Sequence, residues 1–142
     1  MVNQNWARAE RRELCALLAE TGPDAPTLCE GWTTGDLAAH LLVRERRPDA
    51  APGIVVPLLA GYTERVQQRV SKDNPFPHVL ELLRQGPPAW SPFAVPGVDA
   101  AANTAEFFVH HEDVRRAQAG WAPRELPAAF EDDLWRRLKL SR

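Results

Sequence analysis

Thirteen prolines punctuate the 142 residues, and they fall mostly between stretches of helical periodicity rather than inside them. Proline lacks an amide hydrogen and clashes with the preceding turn, so helix interiors exclude it while helix starts and connections accept it. The prolines therefore cut the chain into segments of bounded length. Between the cuts few β-branched residues alternate with polar ones, so strands are not required. The pattern predicts an all-α fold, a four-helix bundle with short accessory helices and Pro-rich loops.

Trp6 to Glu20 reads as the first helix, with Trp6, Leu14, Leu17 and Leu18 at helical spacing and Thr21-Gly-Pro23 as its stop. After a connection, Thr33 or Thr34 is a suitable N-cap, Asp36 suits the first turn, and the second helix runs to about Arg47 before Pro48. Pro52-Gly53 is a break. A third helix is expected from Pro57 to about Val70, carrying Leu58, Leu59, Tyr62, Val66 and Val70, and a short one from Pro75 to Arg84. Gly86-Pro-Pro88 and a Pro-rich loop over Trp90 to Gly97 precede a long helix from about Asp99 to Ala119, closed by Gly120. A last helix spans Pro127 to Leu140, with Phe130, Leu134 and Leu138 on one face and no stop signal after it, so the chain is expected either to be a fragment or to lack an element that would normally follow.

The chain is read as one domain, long enough to bury a core. With 25% charged and 44% hydrophobic residues, its composition is that of an ordinary globular protein. A formal net charge of -2 supplies no basic field, so nucleic acid is not expected as a partner. No apolar run approaches the ~20 residues of a membrane span, and the Met-Val-Asn-Gln-Asn-Trp start shows no secretory pattern. Two cysteines, Cys15 and Cys29, do not make a disulfide framework, and the reading is a cytoplasmic protein with reduced thiols.

Chemistry concentrates in Glu106-Phe-Phe-Val-His110-His111 and in His40. Glu106 and His110 stand at i and i+4, so on a helix they project from one face, one turn apart. That spacing offers a carboxylate and an imidazole to one divalent ion, and a third ligand would complete a site with an open position. His40 is the only polar residue from Leu37 to Val43, which suits either a hydrogen-bonded core histidine or a ligand. On a helical wheel Asp99, Asn103, Glu106, His110 and Asp113 form a polar stripe, and Val98, Ala101, Ala102, Ala105, Phe108 and Val109 an apolar arc. Simple amphipathicity makes that stripe a solvated face, whereas Phe107 and Val114 on its flank suit a seam inside a bundle. Periodicity leaves both open. His111 is a rival ligand rotated by ~100° and reads as a supporting, surface or substrate-facing residue. His78 reads as surface, Cys15 as core and Cys29 as a packed thiol. Arg44-Glu-Arg-Arg47 could attract a carboxylate substrate, although a solvated last turn is the commoner explanation.

Cys29-Glu-Gly-Trp-Thr-Thr-Gly-Asp-Leu-Ala-Ala-His-Leu41 resembles the N-terminal signature of the mycothiol-dependent maleylpyruvate isomerase family, part of the DinB-like group of metal-binding four-helix bundles. Glu106 to His110 resembles its second signature. Pro26-Thr-Leu-Cys-Glu-Gly-Trp32, Arg44-Glu-Arg-Arg-Pro-Asp-Ala-Ala51 and Val109-His-His-Glu-Asp-Val-Arg-Arg-Ala117 are most similar to an actinobacterial branch described as a metal-binding family. The resemblance implies that His40, Glu106 and His110 bind a divalent metal, zinc by preference. It also implies that relatives continue into a small C-terminal portion.

Two neutral imidazoles, one carboxylate and a divalent ion leave a local charge of about +1, which favours an anion, a thiolate or a hydroxide, in the open position. The resemblance selects the thiol: mycothiol as cosubstrate of an isomerase or S-transferase acting on a small electrophile. The expected partners are that electrophile and a low-molecular-weight thiol, with homodimer formation left open. The alternative is a non-catalytic metal-binding or metal-sensing bundle, and hydrolysis with Asp36 or Asp113 as base is a third. Asp36, Asn103 and Asp113 are the residues expected to orient the imidazoles.

Overall fold

The computed structural model describes residues 5–95 and 97–140. The first four residues, read above for a targeting signal, Pro96 of the Pro-rich loop, and residues 141 and 142 after the last helix lie outside the described residues. Among the described residues six α-helices follow one another: α1 (Trp6–Thr21), α2 (Thr34–Arg46), α3 (Ala60–Asp73), α4 (Phe76–Gln85), α5 (Val98–Arg115) and α6 (Ala128–Leu140). The fold is the all-α bundle expected. Among the described residues extended pairing is limited to one isolated bridge, Pro26 to Thr33, and no helix is long and apolar enough to cross a membrane.

Local chemistry sets the helix ends. Asn5 caps α1 by accepting from the Arg8 amide (3.1 Å), and the Gly22 amide closes it on the Leu18 carbonyl (3.0 Å). Thr33, not Thr34, caps α2: its hydroxyl accepts from the Asp36 amide (3.2 Å) while the Asp36 carboxylate accepts from the Thr33 amide (2.9 Å). Two helices depart from expectation. Pro57 opens a 3-10 turn over Pro57–Leu59, so α3 starts only at Ala60. Leu58 is 96% exposed as a result, and Thr63, Val66 and Gln67 form the buried face of α3. Ahead of that turn, Gly53 lies so close to Leu59 and Thr63 that a Cβ would collide with both. At the other end of the chain, α5 stops at Arg115, and the Gln118 side chain donates to the Val114 carbonyl (2.9 Å), the acceptor that a further turn would have used.

α2 is the centre of the molecule. Leu37, Ala38, Leu41 and Leu42 pack with Leu14 and Leu18 of α1, Val79, Leu80 and Leu83 of α4, and Phe107 and Val114 of α5. Burying each such leucine contributes about 1.5–3 kcal/mol. α1 packs mainly on α5 and α4, and α2 mainly on α3 and α4. α6 is held by Phe130, which stacks on Trp6 (4.7 Å between ring centroids) and meets Phe108 edge-on (5.7 Å).

A buried ion pair joins four of these helices. Arg11 of α1 pairs with Glu45 of α2, and the two side chains are 6% and 1% exposed. The same guanidinium donates to the Leu83 carbonyl of α4 (3.0 Å) and lies 4.4 Å over the Phe107 ring of α5. On the α1–α5 seam, Glu10 accepts from Arg124 (2.6 Å) and faces His111 Nδ1 (3.1 Å), while Glu112 accepts from Arg124 (2.6 Å) and Arg116 (3.0 Å). Burial by itself would raise both carboxyls, but hydrogen bonds from His111 and Arg124 to Glu10, and from Arg116 and Arg124 to Glu112, outweigh it and hold both below their ordinary value.

Removing one partner of the Arg11–Glu45 pair strands a buried charge. Arg11→Met should therefore cost about 3–5 kcal/mol in urea unfolding, and Arg11→Met with Glu45→Leu should recover most of it. A carboxyl lowered in the folded state contributes stability above its unfolded pKa, here the ordinary 4.5, and loses that contribution as pH falls below it. Unfolding midpoints measured from about pH 6 down to about pH 3 should fall, and less steeply in Glu10→Gln, which starts lower.

Candidate metal centre

α2 and α5 face each other without close backbone packing, and polar side chains fill the space between them. From α2, His40 enters this space 6% exposed, with its ring 4.9 Å from that of Trp32. From α5 come Glu106 and, one turn on, His110. The two imidazole rings are 5.3 Å apart and edge-on. His110 Nε2 lies 3.1 Å and His40 Nε2 3.6 Å from the same Glu106 oxygen, Oε1. Each ring's other nitrogen has its own partner: His40 Nδ1 is 3.1 Å from Gln67 Oε1 of α3, and His110 Nδ1 is 3.2 Å from Asp113 Oδ2.

A neutral imidazole donates from one nitrogen and accepts at the other. Both Nδ1 atoms face oxygens that only accept, so both Nδ1 atoms donate. Two Nε2 lone pairs and a carboxylate oxygen then converge, and such atoms repel unless a proton or a cation lies among them. The ligand atoms of His40, Glu106 and His110 all lie within 4.8 Å of one another, which fits one ion. Where protons rather than a cation lie at the two Nε2 atoms, hydrogen bonds from His110 and then His40 hold the Glu106 carboxyl far below the usual carboxylate range, against the opposing effect of burial, and the nearby Arg44 guanidinium (3.8 Å) adds to the lowering. Glu106 is thus ionised, as a ligand must be.

The Pro26–Trp32 loop closes one side. Gly31 has φ 81°, which lets the Trp32 amide reach back to the Cys29 carbonyl (2.9 Å). The Leu28 amide donates to the Asp113 carbonyl (3.0 Å), anchoring the loop to α5. This places the Cys29 thiol to donate to Asp113 Oδ2 (3.2 Å), 4.0 Å from His110 Nδ1. Burial first, then the hydrogen bond and charge of Asp113, push that thiol up to about 12, so Cys29 is a thiol rather than a thiolate at neutral pH. Cys29, His110 and Asp113 form a second cluster of metal-ligand type, on the Nδ1 side of the shared imidazole.

The structure therefore brings His40, Glu106 and His110 together and corrects their surroundings. Asp36 is occupied by the Thr33 cap and does not orient His40. Asn103 accepts from Arg44 and donates to Asp99 (2.7 Å), so it touches neither imidazole. Asp113 alone of the three expected residues sits at a ring nitrogen. Gln67 does the work expected of Asp36, and its sequence signal is a polar residue on the same helical face as Thr63, Val66 and Val70. His111 is neither a surface nor a substrate-facing residue: it is buried at Glu10, and the Glu10–Glu13–His111 cluster already holds the Arg124 guanidinium as its cation. His78 is exposed, as expected.

The solvated reading of the Arg44–Arg47 turn also fails. Arg44 donates to Asn103 and to the Ala102 carbonyl (3.1 Å) and stacks on Phe93 at 4.7 Å. Glu45 is buried with Arg11, and Arg46 donates to the Leu82 and Gly86 carbonyls (3.3 and 3.1 Å). Of the four, Arg47 pairs at the surface, with Asp49. On α5 the polar stripe faces inward and part of the apolar arc faces out: Asn103 is 0% exposed and Val109 51%.

A family model described as the mycothiol maleylpyruvate isomerase N-terminal domain matches residues 6–138. No curated protein and no solved structure matches the chain.

Because Asp113 helps to hold the Cys29 thiol protonated, Asp113→Asn should speed its alkylation by iodoacetamide at about pH 8. Peptide mass spectrometry separates that signal from Cys15, which is buried with its thiol raised to about 11 and should stay unmodified in both proteins.

Proposed function

The chain belongs to the mycothiol maleylpyruvate isomerase N-terminal domain family, and from that premise we propose that His40, Glu106 and His110 hold one divalent metal, zinc by preference, in a centre that uses a low-molecular-weight thiol. The observation that carries this reading is the convergence of two Nε2 atoms on one Glu106 oxygen, with both Nδ1 atoms already satisfied by Gln67 and Asp113. Those two partners fix which nitrogen of each ring is free to ligate.

Three protein ligands would leave a position open on a bound divalent metal, which would supply the Lewis acidity that favours a deprotonated thiol. The chain's own part is orientation and charge. Gln67 and Asp113 hold the rings, Trp32 packs on His40, and Arg44 beside Glu106 adds positive charge next to the centre. Cys29 lies behind His110, at its Nδ1 side, and so does not close the open position. Mycothiol is the thiol that the family suggests, with a small electrophile as the second substrate. The reaction is then isomerisation through reversible thiol addition, or S-transfer. A second reading, a non-catalytic metal-binding or metal-sensing bundle, draws support from the burial of the two imidazoles, His40 being 6% exposed and the His110 side chain 13%.

Purified protein should contain about one zinc or similar ion per chain. His40→Ala and Glu106→Ala should abolish tight binding, Gln67→Leu should weaken it about 10–100-fold, and His78→Ala should leave it unchanged, all by competition with a chromogenic chelator. Loss of metal in His111→Ala with retention in His110→Ala would overturn the ligand set. Adding mycothiol to the cobalt-substituted protein should shift its visible spectrum, whereas an unchanged spectrum at saturating thiol selects the non-catalytic reading.

A further inference from the structure

The cleft of about 860 Å³ lies between α1, the end of α4 and the start of α5, and contains none of the three proposed ligands. Its walls divide by chemistry. Arg8 and Arg12, one turn apart on α1, and Arg84 near the end of α4 supply guanidinium groups, while Phe93 and Val95 supply apolar surface. Its size is within the range of small-molecule sites.

The charge of these arginines is only partly compensated locally. Among the described residues neither Arg8 nor Arg12 makes an ion pair, and no acidic residue stands three or four positions from either on α1. Among the described residues the ion-pair partner of Arg84 is a distant one, Glu81 at 3.8 Å. The acidic residues of α1 are turned elsewhere, Glu10 and Glu13 to Arg124. Asp99, the acidic residue on the cleft wall, accepts from Asn5 (3.2 Å) and Asn103 (2.7 Å) and lies 3.8 Å from Arg11, which also pairs with Glu45, so its charge is set against that fourth guanidinium. Three under-compensated guanidinium groups beside an apolar wall thus concentrate positive charge on a protein of net charge -2. Guanidinium is weakly hydrated and matches carboxylate and phosphate oxygens in pairs.

We propose that this cleft binds a small organic anion, with Arg8, Arg12 and Arg84 holding its carboxylate or phosphate groups and Phe93 and Val95 its apolar body. The site is separate from the metal centre and does not depend on the function proposed there.

Phthalate, two carboxylates on a ring, is a suitable probe, and its neutral dimethyl ester is the control. Calorimetry on the full chain should show saturable one-to-one binding of phthalate and none of the diester. Phenyl phosphate tests whether phosphate serves as well as carboxylate. Arg8→Gln or Arg12→Gln should each weaken phthalate binding about tenfold and the pair about a hundredfold, while Arg65→Gln on exposed α3 leaves it unchanged. Arg8 and Arg12 are exposed, so the variants should fold, and matching circular dichroism spectra check this. Zinc-loaded protein and protein stripped of metal, with the chelator dialysed away, should bind phthalate equally. Binding that ignores the double substitution, accepts the diester equally or requires zinc would overturn the proposal, the last by assigning the anion to the metal centre.

Discussion

The burial of α2 on every side is the constraint on which the rest of the structure depends. A helix in the middle of a bundle meets little water, so each polar group it carries must find a partner on a neighbouring helix. Three of the groups along it show how widely they draw on the fold. Glu45 takes Arg11 from α1, Arg44 takes Asn103 and a backbone carbonyl from α5, and His40 takes Gln67 from α3 and Glu106 from α5. The packing of α1, α3 and α5 around α2 is therefore specified by polar contacts as well as by leucine burial.

That demand accounts for the inverted amphipathicity of α5. A helix facing only hydrocarbon would turn its apolar arc inward. Here the facing helix presents His40 and Arg44, and leaving these unpaired in the interior would cost more than exposing Val109. α5 accordingly turns Asn103, Glu106 and His110 towards α2, and α6 with Arg124 covers Phe108 on the other side. The seam is continuous. Asp99 binds Asn103, Asn103 binds Arg44, and Arg44 lies beside Glu106, so a chain of polar contacts runs from the wall of the arginine cleft to the proposed ligands.

His110 occupies the tightest position in this seam. One nitrogen faces Glu106 and His40, the other faces Asp113 and Cys29. A single ring cannot present a lone pair at both nitrogens. The negative charge of Asp113 therefore does two things: it holds the proton on Nδ1, freeing Nε2, and it keeps the neighbouring thiol protonated. The short Cys29–Trp32 turn matters because it brings both the thiol and an aromatic wall to the same two rings.

Much of this was legible in the sequence because it is local. Proline placement and helical periodicity marked the helices, Thr33 and Asp36 the start of α2, and the spacing of Glu106 and His110 a shared face. The isolation of His40 in an apolar run marked it as a buried polar group with an unmet need. Which groups meet that need was settled between helices and so by tertiary structure alone. Gln67 rather than Asp36 backs His40 because α3 packs on α2 while Asp36 is already occupied by its own cap. The polar stripe of α5 faces inward because its neighbour is polar, which no property of α5 by itself reveals. His110 and His111 differ by one step of rotation, and that step sends one to the α2 seam and the other to Glu10 on α1. The sequence determined which side chains could do chemistry; long-range packing decided which of them meet, because partners for buried polar groups are supplied by whichever helix lies opposite.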